Sequence, residues 1–94
     1  MENSVSVGDL VVSLSGRDKD KTFLVVDVQE YYAYIVDGKE RKIAKPKKKK
    51  IKHLKKVLSL ASVELADKIR RGEPVSNERL YKTVKAQKEK IQED

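Results

Sequence analysis

The side chains with the clearest chemical potential are positive charges concentrated in one part of the chain. The segment from Lys39 to Lys56, KERKIAKPKKKKIKHLKK, contains 11 of the 22 Lys and Arg residues, and Glu40 is its one acid. Cations at this density attract polyanions, and the phosphates of a nucleic acid are the first candidate. An acidic membrane surface is the second candidate.

The residues that usually carry out catalysis are scarce. The chain has one His and no Cys, and it contains no Gly-rich phosphate loop. Asp18 and Asp20 alternate with basic residues, a pattern typical of charge neutralisation in a solvated loop. His53 has no companions for a metal site. We therefore predict that the protein is not an enzyme, uses no cofactor or metal, and has no small-molecule substrate.

Size and composition predict one small domain, or a very small domain with an appendage. The chain has 94 residues, 38% hydrophobic and 39% charged, with a net charge of +7. No apolar run approaches the roughly 20 residues of a membrane span. The first residues, MENSVSVGDLVV, lack the pattern of a secretory signal. We expect a cytoplasmic protein that does not act at a membrane.

Alternation of apolar residues predicts five short strands over residues 1–57. They cover Leu10–Leu14, Thr22–Val28, Tyr31–Val36, Lys39–Ala44 and Ile51–Leu54. The second strand is apolar on both faces, which predicts a central position. Asp37-Gly38 predicts a two-residue hairpin turn before the fourth strand. Short strands joined by tight turns favour a small antiparallel barrel, since closure removes exposed edges.

The sequence pattern does not determine where the tyrosine side chains of this region lie. Tyr31, Tyr32 and Tyr34 lie in the third strand, and periodicity does not tell which face is inside. We favour a core role for at least two of the three, because the chain has few large apolar residues; the alternative is stacking on unpaired bases. The run from Lys47 to Lys50 is predicted to be the most mobile part when nothing is bound.

Residues 58–94 change to a helical period. Leu58, Ala61, Leu65 and Ile69 form one apolar stripe. Gly72 and Pro74 are expected to end this helix, and Ser76 is expected to cap a second one. Both helices are too short and polar to be stable alone. They should pack on the barrel, on each other or on a partner.

Two stretches resemble a known family. VGDLVVSLSGRDKDKTFLVVDVQ resembles a KOW motif, with Gly16 in a basic-acidic loop and a strand ending in Val-Val-Asp at residues 25–27. KKKIKHLKK, residues 48–56, resembles the barrel-closing segment of the fourteen-e family of large-subunit ribosomal proteins from archaea and eukaryotes. The resemblance covers about residues 6–57. It implies an SH3-like barrel that contacts RNA through its first loop and basic strands.

Charge and resemblance together give a set of candidate RNA contacts. Basic side chains could converge from the first loop, the predicted fourth strand and the segment after it, and Arg41 is the best candidate for a bidentate phosphate contact. The set is Arg17, Lys19, Lys21, Lys39, Arg41, Lys42, Lys45, Lys47, Lys48, Lys49, Lys50, Lys52 and His53. The alternative is that these lysines only keep a small domain in solution.

The sequence therefore predicts a non-enzymatic RNA-binding protein, ribosomal or ribosome-associated, that docks on structured RNA such as ribosomal RNA and takes part in translation. The C-terminal helices are a candidate contact for a protein partner. The main alternative is a protein-interaction module like those of transcription-elongation factors, which also contain KOW motifs. An exposed apolar patch would favour that alternative, and a continuous basic face would favour RNA.

Overall fold

The computed structural model describes residues 4–92, in which five strands precede two helices. The strands are β1 (Leu10–Ser13), β2 (Thr22–Gln29), β3 (Tyr32–Val36), β4 (Lys47–Lys50) and β5 (Leu54–Leu58). The helices are α1 (Val63–Arg70) and α2 (Asn77–Gln92). The predicted mainly β fold, with five antiparallel strands and a C-terminal helical pair, is confirmed at this level.

The sheet has the strand order β4-β3-β2-β1-β5, and every neighbouring pair is antiparallel. The central position predicted for β2 is confirmed. The two edge strands, β4 and β5, follow each other in the chain and are joined by one turn of 3-10 helix, Ile51–His53. Because this link is only three residues long, the open sheet must curl enough to bring the end of β4 near the start of β5.

Each face of the curled sheet packs into its own core. The inner core comprises Val11, Phe23, Val25, Ala33, Ile35 and Leu54. The outer core comprises Leu10, Leu24 and Val36 from the sheet with Leu65, Leu80 and Val84 from the helices. Both helices therefore pack on the outer face of the sheet, which was one of the three predicted outcomes.

The predicted fourth strand, Lys39–Ala44, is wrong. The backbone N–H groups of residues 39–41 all donate to Oδ1 of Asp37, at 2.8 to 2.9 Å. The N–H of Ile43 donates to Oδ1 of Asn77 in α2, at 2.8 Å. These groups are therefore not available to β3. Residues 37–46 form a loop instead, and the predicted two-residue turn at Asp37-Gly38 is also wrong.

The lysines predicted to be mobile form strand β4 itself. Lys47 pairs with Ile35 and Lys50 with Tyr32 across the ladder to β3. Lysines suit an edge strand because their charge discourages another chain from pairing with its free edge. Their long aliphatic stems can lie along the sheet. The fifth strand was predicted at Ile51–Leu54, but Ile51–His53 is the 3-10 turn and β5 starts at Leu54.

The ends of the helices agree in part with prediction. Ser76 caps α2, since its Oγ accepts from the N–H of Arg79 at 3.1 Å, and Gly72 has a φ of +71° just after α1. The first helix starts later than its apolar stripe suggested. Leu58 belongs to β5, and Ser62 caps α1 by accepting from the N–H of Leu65 at 3.2 Å.

Candidate nucleic-acid interface

Loop one, residues 14–21 between β1 and β2, is fastened to the edge strand β4. The Nζ of Lys49 donates to the carbonyl oxygen of Ser15 at 2.7 Å and to Oδ1 of Asp18 at 2.8 Å. The Nζ of Lys47 lies 3.6 Å from Oδ2 of the same carboxylate. Two of the predicted RNA contacts, Lys47 and Lys49, are thus engaged with loop one inside the protein.

Asp18 is buried at the centre of this arrangement, although the sequence predicted a solvated loop. Its side chain also accepts from Oγ of Ser13 at 2.8 Å. Burial acts to raise the pKa of Asp18, but the hydrogen bonds from Lys49 and Ser13, with the charges of Lys49 and Lys47, act in the opposite direction and prevail. The pKa of Asp18 is therefore lowered from its usual value of 3.8, and the carboxylate is ionised at neutral pH.

Other predicted contacts around loop one are open to solvent. Arg17 and Lys19 in loop one and Lys52 in the 3-10 turn are exposed, and we call these three residues the loop-one surface. Lys48 and Lys50 on β4 are also exposed, but they alternate with Lys47 and Lys49 and so lie on the opposite face of the strand from the contacts to loop one. The turn is also tied to loop one, because the N–H of Leu14 donates to the carbonyl oxygen of His53 at 2.9 Å, and the His53 side chain is half-buried.

A second basic loop, residues 37–46, leaves the same end of the sheet. It carries the remaining candidates except Lys21, namely Lys39, Arg41, Lys42 and Lys45, and all four are exposed. The Nζ of Lys21, at the end of loop one, donates to Oε1 of Glu40 at 2.8 Å. That hydrogen bond raises the pKa of Lys21. The two basic loops are therefore in direct contact.

The tyrosines of β3 lie differently from the prediction. Ala33 and Ile35 point into the inner core, so Tyr32 and Tyr34 face outwards, where both are half-buried. Tyr31, just before the strand, is 78% exposed. None of the three is a core residue, so the core role predicted for at least two is wrong. Phe23 and aliphatic residues fill the inner core instead.

The outward-facing tyrosines meet the exposed lysines of β4. Tyr32 lies opposite Lys50 and Tyr34 opposite Lys48 in the ladder. The Nζ of Lys48 is 4.4 Å from the centroid of the Tyr32 ring, a cation–π contact. We call these four residues the tyrosine–lysine strip. The alternation Tyr-Ala-Tyr-Ile in residues 32–35 was the sequence signal for this arrangement. A tyrosine has an apolar ring and a polar hydroxyl, so it suits a half-exposed face, whereas alanine and isoleucine suit the core.

The other buried acid, Asp9, makes structural contacts, and the cleft beside loop one is lined by side chains of both charges. The Asp9 carboxylate accepts from the N–H groups of Ser6 and Leu60, so it ties β1 to the segment before α1. A cleft of about 440 Å³ between loop one and α2 is lined by Lys21, Lys85 and Lys88, but equally by Asp20, Asp37 and Glu89. Residues 4–92 contain no group of three His, Cys, Asp or Glu side chains placed to bind a metal ion.

No family model matches the chain, and no curated protein matches it. In the described part of the chain, neither helix is long and apolar enough to cross a membrane.

Proposed function

We propose that this chain is a non-enzymatic RNA-binding protein of the KOW type, which docks on structured RNA by phosphate contacts. Its sheet would be an SH3-like barrel. The curl forced by the short link between β4 and β5 supports that assignment, as does the Gly16-containing loop between β1 and β2. Ribosomal RNA is the structured RNA that the motif resemblance favours, with the cytoplasm as the site of action.

The observation that carries the proposal is the fastening of loop one to β4. Lys49 bonds to both Ser15 and Asp18, which keeps Arg17 and Lys19 beside a strand made of lysines. A loop that is already ordered loses less conformational entropy on binding than a mobile one. The exposed cations of the loop-one surface can therefore meet several phosphates of one RNA at little ordering cost.

The second basic loop supports the same function. Its N–H bonds to Asp37 and Asn77 fix the backbone from which Lys39, Arg41 and Lys42 project. The contact between Lys21 and Glu40 joins this loop to loop one. Together the two loops present cations from separate parts of the sequence on one end of the sheet, as phosphate docking on a folded RNA requires.

The protein-interaction alternative has weaker support. The large apolar side chains that are exposed come from different elements: Leu14 in loop one, Tyr31 between β2 and β3, Leu60 and Val63 around the start of α1, and Tyr81 and Ile91 on α2. Tyr81 and Ile91 are ten residues, about 15 Å, apart along their helix. The apolar faces of both helices are already buried against the sheet, which leaves less for a protein partner to cover.

Binding measured across a salt series tests the proposal. A structured ribosomal RNA fragment, a matched single strand and duplex DNA would each be titrated with the protein at several salt concentrations. We expect tighter binding to the structured RNA, with log Kd changing linearly with log salt by about 0.7 to 0.9 per phosphate neutralised. Equal, weak binding to all three polyanions would contradict the proposal.

A further inference from the structure

We propose that the tyrosine–lysine strip, Tyr32, Tyr34, Lys48 and Lys50, binds unpaired RNA bases by stacking. The inference rests on the proposed function, and it adds a substrate class to it: RNA in which a helix carries an unpaired loop or bulge. The strip is distinct from the loop-one phosphate contacts because it uses aromatic rings on the outer face of β3 rather than charge alone.

The two rings are suitably placed for neighbouring bases. Residues two apart on a strand share one face and lie about 6.6 to 6.8 Å apart. Tyr32 and Tyr34 are half-buried, so each ring packs partly on the sheet and leaves the rest open. The Tyr34 hydroxyl lies 3.5 Å from Oε1 of Gln29 at the end of β2, a long and exposed contact. Aromatic side chains on a sheet surface can stack successive bases.

The lysines supply the matching charge. Lys48 and Lys50 stand opposite the two tyrosines, and both are exposed. Lys48 already lies over the Tyr32 ring. When a base takes that place, its own phosphate lies beside the displaced ammonium group. An aromatic ring on one strand and a lysine opposite it on the next can bind a base together with its phosphate.

The chemistry favours unpaired RNA over the other partners of a sheet surface. In a duplex the faces of the bases are covered by their neighbours, so rings on a protein surface cannot stack on them. Addition of a protein strand to β4 is disfavoured by the four lysines of that edge. The inner face of β3 is filled by the inner core, which leaves only the outer face for a ligand.

The test compares two RNAs and substitutions at both rings. One RNA is a hairpin with a single-stranded loop, and the other is a fully paired duplex with the same number of phosphates. Tyr32→Ile and Tyr34→Ile remove the rings but keep strand propensity. We expect each to weaken hairpin binding about 5- to 150-fold, the range for loss of one stacked base. Duplex binding should stay within about twofold.

Three controls separate stacking from other effects. Tyr32→Phe and Tyr34→Phe keep the rings and should keep hairpin affinity. Tyr31→Ile changes the neighbouring, 78% exposed tyrosine, which lies outside the strip, and should leave affinity unchanged. The chain has no Trp and four Tyr, so its tyrosine emission can be followed directly. We expect the hairpin loop to quench that emission in the unaltered protein, and the duplex to leave it unchanged.

The outcomes distinguish the two proposals. In one outcome, the Ile variants bind the hairpin as tightly as the unaltered protein, with the same slope of log Kd against log salt. That result overturns the stacking proposal and leaves phosphate docking standing. If the unaltered protein binds neither RNA, both are overturned. Should an Ile variant fail to fold, the emission of the unaltered protein decides, because equal emission with hairpin and duplex would overturn stacking.

Discussion

Lys49 on the edge strand β4 donates its Nζ to Oδ1 of Asp18 in loop one, at 2.8 Å. The two side chains are only 10% and 8% exposed. A lysine that the sequence assigned to RNA is therefore a structural contact between the edge strand and loop one. The bond holds loop one beside β4, and the phosphate-binding role proposed for Arg17 and Lys19 depends on that placement.

Replacing Lys49 should destabilise the protein more than replacing its neighbour. Lys49→Ala leaves the buried Asp18 carboxylate without its closest cation, and we expect the free energy of unfolding to fall by about 1–3 kcal/mol. Lys50→Ala removes an exposed lysine of the same strand and should change it by less than about 0.5 kcal/mol. Urea denaturation measures both. Equal losses for the two variants would show that the Lys49–Asp18 contact contributes no specific stability.

The stability that Asp18 contributes should depend on pH. Its folded pKa is below its usual value of 3.8, so the ionised carboxylate stabilises the fold above about pH 4, and this contribution is lost as the pH falls through the folded pKa. Asp18→Asn removes the charge at every pH. The difference in unfolding free energy between the unaltered protein and this variant should be constant from pH 7 to 5 and shrink below pH 4. A difference that grows on acidification would contradict the assignment.

Two glycines with similar backbone angles should tolerate alanine very differently. Gly38 has a φ of +81°, and a Cβ there would clash with the carbonyl oxygen of Asn77 in α2. Gly72 has a φ of +71° and open space around it. Both substitutions cost about 1–2 kcal/mol of backbone strain. Gly38→Ala adds about 1–3 kcal/mol of overpacking. Thermal unfolding of both variants measures the difference, and equal melting temperatures would place the second basic loop away from α2.

The fold was predictable where local pattern and tertiary contact agree. The apolar stretch of β2 and the capping residue Ser76 each determine structure through nearby neighbours, and both predictions were confirmed. Lys39–Ala44 failed because its N–H groups are taken by Asp37 and by Asn77, the latter 34 residues away from its partner Ile43. No local pattern carries that information.

The candidate surface was harder to predict for the same reason. A run of four lysines shows no apolar alternation, so its pairing with β3 could not be predicted from periodicity. The burial of Asp18 depends on two lysines 29 and 31 residues further along the chain. The outward position of Tyr32 and Tyr34 follows from Ala33 and Ile35 filling the inner core, which is a property of the whole sheet.

The most direct test of phosphate docking compares two double variants with the same net charge. Arg17→Gln with Lys19→Gln removes two cations from the loop-one surface. Lys82→Gln with Lys90→Gln removes two exposed lysines from α2, where glutamine is an equally good helix former. The measurement is the salt dependence of binding to a structured ribosomal RNA fragment. We predict that the loop-one variant loses about 1.4 to 1.8 units of log–log slope, the value for two phosphates, while the α2 variant keeps the original slope. Equal losses in the two variants would contradict the account, because binding would then follow net charge rather than a surface built around loop one.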